Sequence, residues 1–310
     1  MQRINVARRA QLGLTVNNKH SSALTTLDTA GAYNKTVIEA IKSDKTATKF
    51  HYANYLNGIT SILDAYLTDV LKEYITCYPG HSGEKNIKFD IISNSGSLAS
   101  LAYYLAEKRV NELSYKKFSE FHSEFSSIIS LDGKLDNELL SEISEIKATR
   151  DIYVHASGVC NEIYLNKSGE KARGRIGNEL LLDVDYINFC EKRIKTYLLD
   201  LHKVIPERIK SYAKVQAFRE MWELSELVNI KEFDEVWDSN EESDMCRPKD
   251  EAFEYGWSGS EKAALDFFLG VYSTQYPKRD TDLMYAMERW PPSTGVGQVI
   301  ISWMEAPFWF

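Results

Sequence analysis

The first two thirds of this chain lack tryptophan entirely and nearly lack proline. Of the seven prolines only Pro79 precedes Pro206, and all six tryptophans follow it. A compositional edge that sharp predicts two modules rather than one. Cysteine is sparse as well. Cys77, Cys160, Cys190 and Cys246 form no C-x-x-C pair, which argues against a zinc ribbon or redox dithiol and fits a reducing compartment. No apolar run approaches the ~20 residues needed to span a bilayer. Nor is there the apolar stretch of a secretory leader. The expectation is a cytoplasmic protein with no membrane contact. Internal repeats and low-complexity tracts are absent too.

Positive charge is also in short supply. Lys and Arg number 37 against 45 Asp and Glu, for a net charge of −8. A protein that coats nucleic acid needs a broad basic surface, so any RNA contact here must be local. The N-terminus is a local exception: Arg3, Arg8, Arg9 and Lys19 precede the first acid, Asp28. Organellar transit peptides share that composition. The preferred reading is a mobile basic arm with a short helix over residues 1–44.

What is present is an ordinary globular composition, 44% hydrophobic and 26% charged. At 310 residues the chain can bury a full core without staples. Leu56, Ile59, Leu63, Tyr66 and Val70 fall at three- and four-residue steps, one stripe of an amphipathic helix. A turn follows at Pro79-Gly80. Leu98 to Val110 predicts a second helix. Phe118, Phe121, Phe125 and Ile128 predict a third, with Ser114 as its cap. After the Asp132-Gly133 turn, Asp136 or Asn137 can cap a helix running to about Ser157, with Gly158 placed to end it. Ile187, Cys190, Ile194, Leu198, Leu201 and Ile205 make a further stripe. Between these two, Ile176 to Leu182 flanks Gly177-Asn178 and predicts a short β-hairpin. The fold class expected is therefore all-α, an antiparallel helical bundle over 45–205 with one short hairpin. Residues 206–310 form a smaller, mainly helical, tryptophan-rich module. In it Pro206 opens a helix carrying Ile209, Tyr212 and Trp222. Asp234 to Asp250 reads as a solvated acidic loop. Ser258 and Glu261 are spaced as a capping box before Ala263 to Tyr272. Pro291-Pro292 ends a helix. Trp303, Phe308, Trp309 and Phe310 are either docked core or a partner surface.

Six histidines limit the acid–base options, and none forms H-E-x-x-H or another metal pair at helical spacing. Gly80-His81-Ser82-Gly83-Glu84-Lys85 lacks the spacing of a phosphate loop and reads as a surface turn. Gly295-Val296-Gly297 is a lone glycine pair. The remaining constellation is Arg150-Asp151-Ile152-Tyr153-Val154-His155. Cleaving RNA without metal needs a base near the ribose 2′-OH, an acid near the departing 5′ oxygen, and positive charge on the phosphate. Histidine can be either base or acid near neutrality, and the arginine fork holds phosphate oxygens. Five residues on a helix turn ~140° and rise ~7.5 Å, so Arg150 and His155 point to adjacent faces. One helix does not easily supply base, acid and clamp. Two copies across a two-fold axis do.

The continuation, His155-Ala-Ser-Gly158-Val-Cys-Asn161-Glu-Ile-Tyr164, makes the pattern more specific. Arg150 to Tyr164 resembles the R-[ND]-x-x-x-H motif of the HEPN superfamily, in the branch found in bacterial ribonucleases and defence proteins. The resemblance spans roughly Lys45 to Ile205, though only the fifteen-residue motif is specific. It implies a helical bundle whose dimer joins two motifs in one cleft. It also implies an endoribonuclease that needs no metal or other cofactor and leaves 2′,3′-cyclic phosphate and 5′-OH ends. A toxin or anti-phage, abortive-infection role is implied with it. By the same resemblance His155 is the general acid/base, Arg150 the phosphate clamp, and Asp151 the polar residue that orients them, where asparagine is commoner. Tyr153, Asn161 and Tyr164 are substrate-side candidates, Asn161 and Tyr164 alternatively tying down the turn after Gly158. Lys167, Lys171, Arg173 and Arg175 form either a backbone-tracking patch or a solvated loop. The competing reading is a non-catalytic HEPN-like RNA- or nucleotide-binding scaffold. In either reading, an antitoxin or sensor partner would bind through residues 206–310.

Overall fold

The computed structural model describes residues 6–84, 86–95, 98–210, 214–273 and 283–310. Arg3, Lys85 and Tyr212 therefore lie outside the described residues. The fold is all-α, and the one sheet among the described residues has two strands. The helices are α1 (Val6–Ile41), α2 (Lys45–Cys77), α3 (Phe89–Asn94), α4 (Leu98–Ser114), α5 (Phe118–Ile129), α6 (Asn137–His155), α7 (Glu162–Ser168) and α8 (Val184–Val204). They continue as α9 (Glu207–Lys210), α10 (Lys214–Leu224), α11 (Phe233–Val236), α12 (Gly259–Tyr272), α13 (Leu283–Arg289) and α14 (Gly295–Glu305). Strands β1 (Trp237–Asn240) and β2 (Met245–Pro248) lie between α11 and α12. No described helix is long and apolar enough to cross a membrane.

The chain divides into two compact units, and both are discontinuous in sequence. One comprises Val16–Lys72 and Glu107–Ile209. Its core is the α2 stripe of Leu56, Ile59, Leu63, Tyr66 and Val70, together with Phe125, Ile143, Ile146, Ile194 and Leu198, all buried. Helix α6 packs on α5, α7 and α8. Asp136 caps α6, accepting from the Glu138 amide at 3.1 Å. The cap expected at Ser114 is not used. Ser114 is the last residue of α4, and Lys117 takes the N-cap position of α5 without a side-chain capping bond.

The other unit comprises Met1–Thr15, Glu73–Ala106 and Lys210–Phe310. Its core is aromatic. Phe218 meets Trp237 edge-on at 4.8 Å between centroids, and Trp222 meets Phe268 at 5.1 Å. Phe308 is buried in the same cluster, whereas Trp309 keeps its exposure. Ser258 and Glu261 form the expected capping box of α12. Ala7 and Ala10 belong to this core, so a cut at Pro206 would strip them of their neighbours.

Two local expectations are corrected. The N-terminal segment is not a mobile arm with a short helix, for α1 runs 36 residues. Three of its cations are paired, Arg8 with Glu73, Arg9 with Glu220 and Lys19 with Asp69. Its buried face mixes Leu12, Val16 and Leu27 with small and polar residues (Ala7, Ala10, Gly13, His20, Ala23, Gly31 and Asn34), which leaves little hydrophobic periodicity to read. The acidic stretch from Asp234 to Asp250 is not simply a loop. It holds α11 and the antiparallel pair β1–β2, with Trp237 opposite Pro248 and Asn240 opposite Met245. Buried Trp237 and Cys246 anchor the hairpin. Asp244 at its turn accepts from the Lys214 and Val215 amides at 3.0 and 2.8 Å, capping α10 from outside the helix.

One buried histidine makes the first unit sensitive to pH. His122 on α5 pairs its Nδ1 with the Tyr197 hydroxyl of α8 at 2.8 Å. Burial pushes its pKa down from 6.5 to about 4, so the fold holds the neutral ring while the unfolded chain protonates first. The stability this adds is fully present above pH 6.5 and is lost as pH falls toward 4. Urea unfolding at pH 7 and pH 5 checks this. His122→Gln should lose about 2 kcal/mol less than the parent over that interval. An equal loss in both proteins would remove His122 as the cause.

Candidate functional site

The Arg150–His155 segment is the last turn and a half of α6, and its position follows from how that helix ends. The Ala156 and Gly158 amides both donate to the Ile152 carbonyl, at 2.8 and 3.0 Å. Gly158 has φ +83°, and a Cβ there would come within 2.9 Å of the Tyr153 ring. Only glycine closes this turn. The chain then extends alongside Gly177–Leu180. Cys160 donates to the Asn178 carbonyl at 2.8 Å, Gly177 to that of Cys160 at 2.9 Å, and Leu180 to that of Gly158 at 2.9 Å. This overturns the hairpin expected within Ile176–Leu182. The ladder groups it needed are used by Gly158–Cys160. Leu180 and Leu182 turn inward, while Ile176 and Leu181 remain exposed.

Below the turn lies a buried carboxylate. Glu145 on α6 is 3% exposed. Its Oε1 accepts from the Thr149 hydroxyl at 2.6 Å, the Arg173 Nε at 2.9 Å and the Tyr164 hydroxyl at 3.0 Å. Its Oε2 accepts from the Tyr186 hydroxyl at 2.8 Å. Arg173 also lies over the Tyr186 ring, 3.4 Å from its centroid. The Tyr164 hydroxyl in turn accepts from the Arg173 amide at 2.9 Å. Burial pushes the Tyr164 hydroxyl up to about 12, which keeps it a neutral donor. The cluster ties α6, α7 and α8 to one another.

The sequence-predicted residues separate into groups. Tyr164 and Arg173 are in the Glu145 cluster. Asn161 is the N-cap of α7, its side chain accepting from the Tyr164 amide at 2.9 Å. Tyr153 donates its hydroxyl to the Leu180 carbonyl. These four hold the turn and α7 in place. Lys171 pairs with Glu138 at 2.9 Å, and the Arg175 side chain is exposed. Arg150, Asp151 and Lys167 come together on one cleft of about 300 Å³. His155 ends α6 exposed, with no hydrogen bond or ion pair to any described residue.

That cleft contains residues the sequence reading missed. Besides Arg150 and Lys167 it is lined by Lys116, Lys117 and Lys147, so five cations face two carboxylates, Asp64 and Asp151. Asp64 of α2 takes Lys147 on one oxygen and Arg150 on the other, the latter at 3.1 Å. Asp151 takes Arg150 at 3.1 Å and Lys167 at 2.7 Å. Arg150 is thus aimed by two carboxylates, and its buried Nε has no partner among the described residues. A concentrated positive cleft on a chain of net charge −8 is a local anion site. Lys147 was legible, three residues before Arg150 and on the same helix face. Asp64 was not, since it lies on the polar side of an otherwise apolar stripe.

No family model, curated protein or solved structure matches the chain.

Glu145→Ala should cost about 3 kcal/mol in urea unfolding, since it strands the Arg173 charge and removes the acceptor of three hydroxyls. A loss below ~1 kcal/mol would show that the cluster does not hold α6 in place.

Proposed function

We propose that the protein is an endoribonuclease that works without metal, cutting RNA by attack of the ribose 2′-OH on the adjacent phosphorus. The observation that carries this is the cationic cleft around Arg150, placed on the same helix as an exposed, unpaired His155. His155 takes the 2′-OH proton as the O2′–P bond forms. Arg150 stabilises the charge on the non-bridging oxygens. The P–O5′ bond breaks, and the 5′ oxygen leaves with a proton. The products are a 2′,3′-cyclic phosphate and a 5′-OH. The resemblance of Arg150–Tyr164 to the HEPN motif supports the same chemistry, and a toxin or anti-phage role follows from it.

A single helix offers one histidine, so the second proton transfer calls for a second copy. The surface around His155 suits that role. Val154 is 51% exposed and Ile163 64% exposed, with Val159 exposed between them in sequence. Exposed apolar side chains close in sequence to His155 suit a self-complementary contact. In this reading the active unit is a homodimer, with both His155 side chains in one cleft.

His155→Ala and Arg150→Ala should each lower RNA cleavage by at least ~100-fold, with EDTA leaving the parent unaffected. Cleavage that survives His155→Ala, or vanishes with EDTA, would end the reading.

Light scattering should give a dimer for the parent. Val154→Asp combined with Ile163→Asp should give a folded monomer without nuclease activity. A parent monomeric at micromolar concentration yet fully active would exclude the shared site.

A further inference from the structure

The α4–α5 connection, Tyr115-Lys116-Lys117, takes no part in the reaction as described, yet it lines the same cleft as Arg150. Tyr115 is 92% exposed, with its ring free of neighbours that would bury it. At the rim of a positive cleft, a ring this exposed presents a flat face on which a base can stack. Among the described residues Lys117 bonds only the neutral Asn166 amide oxygen and meets no carboxylate. Lys116 reaches Glu124 at 2.9 Å, but that carboxylate is shared with Arg109 at 2.8 Å. Across the cleft, Lys147 shares Asp64 with Arg150.

We propose that Tyr115, Lys116 and Lys117 form a docking subsite for an unpaired nucleotide beside the scissile phosphate. The two lysines hold its phosphate and Tyr115 stacks on its base. This proposal rests on the ribonuclease reading above for the identity of the strand. The cleft volume of about 300 Å³ is at the small end of ligand clefts and suits one nucleotide rather than a duplex. Stacking on an exposed aromatic also requires a base that is free of a partner strand. The substrate class is therefore single-stranded RNA, a loop or an end. An acidic peptide would satisfy the lysines but would give the Tyr115 ring no flat partner.

The test uses the full chain carrying His155→Ala, so that binding is read without turnover. Fluorescence anisotropy would follow a 5′-fluorescein single-stranded oligoribonucleotide and its duplex over a salt series. The single strand should bind at least ~10-fold more tightly than the duplex. Lys117→Glu should weaken it by ~10-fold or more and flatten the salt dependence by about one phosphate contact. Lys117→Gln should fall between the two. Tyr115→Ala should weaken binding by ~5-fold or more at unchanged salt slope, and Tyr115→Phe should restore it. Lys203→Glu, on the exposed end of α8, should change nothing. Parent-like binding by both Lys117→Glu and Tyr115→Ala overturns the subsite. So does polyglutamate that competes as well as RNA. Cleavage by the parent is scored separately from its product ends. If the binding pattern holds and no cyclic phosphate forms, the subsite stands and the nuclease reading falls.

Discussion

The buried carboxylate of Glu145 is the constraint on which the rest of the site depends. Desolvating a carboxylate costs several kcal/mol, and only partners fixed in position offset that cost. Here they come from three places: Thr149 one turn along α6, Tyr164 and Arg173 from α7 and the segment after it, and Tyr186 from α8. None of these donors can be lost without leaving charge or polar groups stranded. Such a cluster contributes less to net stability than to fixing one arrangement of the helices. It also lies five residues before Arg150 on the same helix. The rotation of α6 about its axis, and so the direction in which Arg150 points, is held by this group.

The same physics acts in reverse at the cleft. Glu145 is a buried anion that collects donors, whereas Arg150 is a cation with an incomplete set of acceptors. Asp64 and Asp151 take two of its nitrogens, and Nε keeps no partner among the described residues. Lys147 and Lys167 share the two carboxylates, so neither acid is available to neutralise Arg150 alone. The result is a guanidinium held rigidly while the surrounding charge stays positive. Preorganised positive charge of this kind is what a developing dianionic phosphorane requires, because it need not rearrange as the charge appears.

How much of this could be read in the sequence depended on how local each feature is. Helices α2, α4, α5, α6 and α8 were legible because their apolar stripes are built from large residues, as with Ile187, Ile194 and Leu201, whereas the short α3 and α7 carry no such stripe. Helix α1 was not, because alanine, glycine and polar residues interrupt its buried face and give a weak period. The end of α6 at Gly158 was legible because a positive φ next to the Tyr153 ring leaves little choice of residue. The partner of the Ile176–Leu182 segment was not, since turn chemistry marks where a chain reverses but not which neighbour accepts its hydrogen bonds. Among the site residues, Arg150, Asp151 and His155 form a contiguous pattern. Asp64 and the Tyr115–Lys117 turn reach the same cleft only through packing, and no spacing in the chain announces them.

The position of His155 follows from these constraints taken together. Glu145 fixes the rotation of α6, and Gly158 fixes where the helix stops. Between them they leave one turn and a half, with Arg150 turned into the cleft and His155 at the open end. Five residues of helix separate the two faces by ~140°, so neither residue can be brought to the other by a change of rotamer alone. Moving His155 inward would require unwinding the last turn, and the Tyr153 hydroxyl bond to Leu180 together with the two amides on the Ile152 carbonyl oppose that. The helix therefore presents the two groups as halves. In the proposed reading, completion comes from a second copy across the Val154–Ile163 surface rather than from rearrangement within one chain.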